Sequence, residues 1–121
     1  MNKVLREEVF DMQMKEIDEL KNQFIKHLSP LRIYLFGSFA NGTNNENSDL
    51  DFYIVVDDNV SDLVEITANA YKAIRETKQR PVDIIVGTKG RFEERKELLS
   101  VENEVYKKGV LLYESGNKTV A

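Results

Sequence analysis

The chain has 121 residues, 41% of them hydrophobic, enough for one domain with its own core and too few for two. A net charge of -4 and a pI near 5.1 argue against a dedicated binder of long nucleic acid, because releasing counterions from many phosphates needs a basic surface. The absence of cysteine excludes disulfides, thiolate zinc sites and a thiol nucleophile.

No apolar run approaches the ~20 residues of a membrane span, and the N-terminus lacks a signal peptide's hydrophobic segment, so the expectation is a cytoplasmic protein with no membrane association. From Asn2 to Leu28, the residues Leu5, Val9, Met12, Ile17, Leu20, Phe24 and Leu28 recur at steps of three to five. That spacing predicts a helix with one apolar face, ended by Ser29-Pro30. Phe10, Met14 and Ile25 fall off the stripe and either widen the core contact or offer a second apolar surface. His27 reads as a last-turn cation suited to the helix dipole rather than as a ligand or base.

Leu31-Arg-Ile-Tyr-Leu-Phe36 reads as a strand that breaks at Gly37-Ser38. A glycine there lets the backbone turn sharply and approach a ligand, and the following residues can open a short helix with N–H groups facing an anion. Ser38 adds a hydroxyl donor. The polar stretch Asn41 to Ser48 reads as a loop of turn formers.

A second strand opens at Asp49-Leu50-Asp51. The period of two puts Asp49 and Asp51 on one face, with Leu50, Phe52, Ile54 and Val56 on the other, where they can bury against helices. Two carboxylates side by side raise each other's pKa unless a cation lies between them. Mg2+ takes oxygen ligands, commonly one or two carboxylates with substrate phosphate completing the shell. A phosphate seat therefore adjoins a metal seat.

Ser61 is the expected cap of the next helix, with Asp62 in its first turn and Leu63, Ile66, Ala70 and Ile74 as its buried stripe. Pro81-Val-Asp-Ile-Ile-Val86 reads as a strand in which Asp83 points away from Val82 and Ile84, so that by parity it can join Asp49 and Asp51. Lys89 to Leu99 and Ser100 to Lys108 are helix candidates, the second ended by Gly109, and Val110 to Tyr113 a short strand before a frayed tail. Three parts follow: an N-terminal helix over 2–28, a core over 31–87 and closing helices and strand over 89–114.

Gly37-Ser38, ten intervening residues and Asp49-Leu50-Asp51, with Asp83 on a later strand, resemble the polymerase-beta-like nucleotidyltransferases, in particular the minimal nucleotidyltransferase domain. Phe92, Arg95, Ser100, Val101, Tyr106 to Gly109 and Val110 to Tyr113 extend the resemblance to the closing helices and strand. It implies an α/β (α+β) fold, a small mixed sheet with helices packed on one face.

For chemistry the resemblance implies two Mg2+ ions held by Asp49, Asp51 and Asp83, which are also the catalytic residues. Gly37, Ser38 and Ser48 would bind the nucleotide, with ATP as substrate. It further implies an antitoxin that adenylylates a tyrosine of a HEPN-domain toxin, as a hetero-oligomer or a homodimer. The family usually reads Gly-Ser-x-Ala-Arg-Gly where this chain has Asn41, so one positive charge near the phosphates is missing. Arg91, Arg95 and Lys96 are the nearest stand-ins, with surface solubility as their plainer role. Competing readings are a non-catalytic antitoxin that neutralises by binding and an enzyme acting on a small-molecule hydroxyl such as that of an aminoglycoside.

Overall fold

A computed structural model describes residues 3–45 and 48–116, and the side chains from residue 12 onward within that range. Leu5, Val9 and Phe10 lie outside the described side chains, and Asn2 and the tail from position 117 lie outside the described residues.

The chain runs α1 (Lys3–Leu28), β1 (Arg32–Phe36), β2 (Leu50–Val56), α2 (Leu63–Ile74), β3 (Val82–Thr88), α3 (Lys89–Arg95), α4 (Val101–Lys108) and β4 (Val110–Glu114). The four strands form one mixed sheet in the order β3-β2-β1-β4. β1 pairs antiparallel with β2 and with β4, while β2 and β3 are parallel. A parallel neighbour needs a crossover, and α2 supplies it. The fold is the expected small mixed sheet with helices.

Of the two interior strands, β2 is the more deeply buried. Leu50, Phe52, Ile54 and Val56 face a core built with Ile33 and Leu35 of β1, Val82 and Ile84 of β3, Ile17, Leu20 and Phe24 of α1, and Ala70 and Ile74 of α2. Phe24 meets Phe52 edge to face, with ring centroids 5.2 Å apart. The two long helices thus share one face of the sheet. The opposite face is also covered in part: Tyr53 and Val55 pack with Phe92 of α3 and Val105 of α4. This second, smaller cluster adds to the expected one-sided packing and accounts for the nearly unbroken apolar run of β2.

On α1 the buried line differs from the expected stripe at one residue. Met12 is 68% exposed, whereas Gln13, Ile17, Leu20 and Phe24 are buried. Steps of four, three and four keep those residues on one side of a helix, while the five-residue step from Met12 to Ile17 carries Met12 well round the axis. Ile25 packs against the core and widens it, and Met14 is exposed. The helix stops at Ser29, which adopts a left-handed φ of 47° before the buried Pro30.

Two other boundaries shift. The cap of α2 is Asp62, not Ser61: its side chain accepts from the Glu65 N–H at 3.0 Å. α3 ends at Arg95, short of the expected Leu99, because groups from the start of α4 satisfy its last carbonyls. Ser100 Oγ donates to the Arg95 carbonyl at 2.8 Å and Asn103 Nδ2 to the Lys96 carbonyl at 2.7 Å. Ser100 also caps α4, accepting from the Asn103 N–H at 3.1 Å. Among the described residues, no helix is long and apolar enough to cross a membrane.

Candidate active site

The strand register assembles the site. Asp51, second in β2, pairs with Phe36 of β1 on one side and with Asp83 of β3 on the other. Because β2 and β3 are parallel and in step, both carboxylates leave the sheet on the same face, side by side. Asp49 is exposed just before β2, close enough for its charge to act on Asp51.

This crowding shows in the protonation of Asp51. Partial burial, followed by the charges of Asp83 and Asp49, raises its pKa from 3.8 to about 6; a hydrogen bond with Asp83 and the charge of Glu104 push the same way. Glu104, on the exposed side of α4, has no feature in the sequence that sets it apart from the other helical glutamates.

β1 delivers the other half of the site. Gly37 follows Phe36 directly and takes a φ of 76°, which a glycine adopts without the penalty a side chain would incur. It lies against Asp51 so closely that a Cβ at position 37 would run into the Asp51 carboxylate oxygen Oδ2. Residues 37 to 42 form successive turns in place of the expected short helix, with the N–H groups of Ala40 and Asn41 both donating to the Gly37 carbonyl, at 3.1 and 3.2 Å. The Thr43 N–H donates to the Ser38 carbonyl at 3.0 Å.

Asn41 belongs to this loop in a specific way. With its amide nitrogen turned inward, it donates to the carbonyls of Gly37 at 2.7 Å and Ser38 at 3.1 Å and to the Thr43 hydroxyl at 3.1 Å. Ser48 closes the far end of the loop: its hydroxyl accepts from the Asn45 N–H at 2.9 Å and its own N–H donates to the Asn45 carbonyl at 3.1 Å.

The donor set suits a hard divalent cation. Both registered side chains are carboxylates, and the charges raising the Asp51 pKa are themselves acidic, so a cation placed there relieves repulsion already present. Among the described residues, no three His, Cys, Asp or Glu side chains gather tightly enough to hold a metal alone. A Mg2+ shell here would draw its remaining oxygens from water and from a phosphate ligand, the usual way that ion is bound.

Arg91, Arg95 and Lys96 do not stand in for a charge at the loop. Arg91 Nε and Arg95 Nε contact the two oxygens of Glu102 at 3.3 and 3.1 Å, and Lys96 Nζ meets Glu93 at 2.6 Å. Glu102 is fully buried and also accepts from the Tyr53 hydroxyl at 2.7 Å. Burial alone would raise its pKa, but hydrogen bonds from Tyr53, from its own backbone and from Arg95 and Arg91 outweigh this and hold it below the usual range. Burial and the bond to Glu102 push the Tyr53 phenol up, so Tyr53 remains a donor. The network joins α3 and α4 to the sheet face that carries Asp51. Nothing in the local pattern marks Glu102 as buried.

The sequence matches the family described as "Nucleotidyltransferase domain" over residues 17–112. Among solved structures, a candidate nucleotidyltransferase from Sulfolobus solfataricus is similar with a TM-score of 0.60 and 20% identity, covering 95% of this chain and 91% of that one. A toxin-antitoxin crystallised with AMP-PNP gives a TM-score of 0.51 at 21% identity, covering 85% of this chain and 74% of that one. A mutant form of the toxin-antitoxin MntA-HpeT gives 0.53 at 18%, covering 83% and 74%. These identities speak to the fold. Among curated proteins no sequence matches the chain.

Proposed function

The chain belongs to the nucleotidyltransferase domain family, and from that premise we propose that it transfers AMP from ATP to a hydroxyl of a partner protein. The observation that carries this reading is the in-register pair Asp51 and Asp83 with Gly37 closed against Asp51. A cation site and a sharp glycine turn then share one corner of the sheet.

In the reaction, the acceptor oxygen attacks the α-phosphorus, the bond from that phosphorus to the bridging oxygen breaks, and pyrophosphate leaves. Asp51 and Asp83, with Asp49 at their edge, would hold Mg2+. When bound, the ions neutralise the triphosphate and lower the pKa of the attacking hydroxyl. Asp83, the more exposed of the pair, would accept the hydroxyl's proton and pass it to solvent. Gly37 and Ser38 grip the β- and γ-phosphates and so hold the leaving group in line, with Ser48 steadying the loop. Positioning and charge neutralisation of this kind supply most of the catalysis in phosphoryl transfer.

The acceptor is proposed to be a tyrosine of a HEPN-domain toxin, with this chain as the antitoxin. The likeness in fold to two toxin-antitoxin structures, one holding AMP-PNP, supports that choice of partner and nucleotide. The test is to incubate the purified protein with ATP labelled at the α-phosphate, Mg2+ and the protein that co-purifies from its native host. The expected result is an added AMP mass on a tyrosine of the partner. Neutralisation of the partner without any added mass would replace the enzyme by a binding antitoxin, and label on an aminoglycoside or similar small molecule would replace the acceptor.

Gly37→Ala tests the loop directly. Its backbone strain costs on the order of 1 kcal/mol, and the new methyl displaces the Asp51 carboxylate. Transfer should fall at least about tenfold, since misplacing a reacting group by even an ångström is expensive. Steady-state rates alongside a melting curve separate the two effects. An alanine variant with unaltered turnover would remove Gly37 from the site.

A further inference from the structure

The loop that follows Gly37 carries a cation brought from a distant part of the chain. Arg80, just before β3, places its guanidinium carbon 5.3 Å from the centre of the Phe39 ring, within cation–π range. Its Nε donates to Glu16 Oε1 at 2.9 Å, and the other oxygen of Glu16 accepts from the Gln79 N–H at 3.2 Å. Glu16 is 4% exposed on α1, so the arginine is anchored to a buried carboxylate. Phe39 in turn packs against the main core.

We infer that Glu16, Arg80 and Phe39 form a clamp in which Arg80 is the positioning residue of the phosphate loop. The inference rests on the nucleotide reading given above. Three elements meet in this clamp: α1 through Glu16, the approach to the Asp83 strand through Arg80, and the loop through Phe39. The Leu50 N–H donates to the Pro81 carbonyl at 3.1 Å, which ties the residue after Arg80 to the start of the Asp51 strand. The clamp therefore sets the distance between the Gly37-Ser38 turn and the carboxylate pair.

The clamp and Asn41 hold the loop from two sides. The Asn41 amide is turned into the loop carbonyls and brings no charge. Arg80, whose charge is paired with Glu16, acts on the loop through its planar group lying over the Phe39 ring. A loop braced in this way loses less freedom when a phosphate arrives.

The test compares Mg-ATP with AMP, which lacks the β- and γ-phosphates assigned to the loop, by titration calorimetry on the full chain. Arg80→Ala should weaken ATP binding about tenfold, the size of a well-placed cation–π contribution to holding the loop, and leave AMP binding within about twofold. Because Arg80→Ala strips a buried carboxylate of its partner, Phe39→Leu serves as the second variant; it keeps the apolar contact and removes the ring. It should weaken ATP selectively by about threefold or more. Unchanged ATP affinity in Phe39→Leu, or equal losses for ATP and AMP, overturns the clamp. A wild-type protein that ignores Mg-ATP altogether overturns the nucleotide reading itself, whatever the variants do.

Discussion

Replacing Asp51 by asparagine should abolish nucleotide transfer, by about a thousandfold or more, and at the same time make the cation-free protein more stable at neutral pH. The first effect follows from removing one of two registered carboxylates that would hold the cation. The second follows from its pKa, raised from 3.8 to about 6 by burial and by the neighbouring Asp83 and Asp49. An acid whose pKa is raised by folding holds its proton more tightly in the folded state. Its contribution is therefore most favourable below pH 3.8, falls as the pH climbs from there to about 6, and stays unfavourable above.

Asparagine removes that penalty while keeping the side chain's size. Allowing for solvent screening at a partly exposed site, the gain at pH 7 is on the order of 1 kcal/mol, or a few degrees in melting temperature. Melting curves from pH 4 to 8 in a chelator should diverge with rising pH, the wild type falling below the variant. Adding Mg2+ should raise the wild type more than the variant. Parallel curves at every pH, or normal turnover by the variant, would contradict the role given to Asp51.

The second large effect is expected at Glu102. Its side chain is completely buried and takes bonds from Tyr53, Arg91 and Arg95. Glu102→Ala leaves the buried Tyr53 hydroxyl without its acceptor and opens a cavity, while the two arginines, 52% and 40% exposed, can return to water. The cost is put at about 3 kcal/mol, the lower end for breaking a buried pair because only part of the network is stranded. Urea unfolding would measure it, and a loss below about 0.5 kcal/mol would mean that the network is incidental.

Glu102 titrates with the opposite sign to Asp51. Its folded pKa is lowered beneath the ordinary 4.5, so its contribution is present above that value and fades as the pH drops through the folded pKa. The two carboxylates thus pull the stability curve in different directions over separate ranges. Glu102 supports the fold from mid-acid pH upward, and Asp51 weakens it until a cation arrives.

How much of this was legible beforehand varies with the range of the interaction. Side-chain alternation along Leu50 to Val56 and the spacing from Gly37-Ser38 to Asp49-Leu50-Asp51 were enough to name a strand, the turn and the first two aspartates, because each depends on residues close in the chain, whereas Asp83 was named from the parity of its own strand and the family resemblance. Helix ends were less readable. Arg95 terminates α3 because Ser100 and Asn103 reach back to its carbonyls, and Met12 leaves the buried line because the stripe runs through Gln13, a residue whose polarity hides it from a hydrophobic pattern.

What the sequence by itself determined was local: which segments are strands, which face of β2 is apolar, where the backbone must turn, and that no cysteine chemistry is available. Only the tertiary structure decided who meets whom. The order β3-β2-β1-β4 and its register set Asp83 beside Asp51, and packing brought Arg80 to Phe39 and buried Glu102 under Tyr53. The physical reason is that periodicity records how one segment sits against a surface, whereas these pairs lie 32, 41 and 49 positions apart and are selected by the packing of the whole sheet.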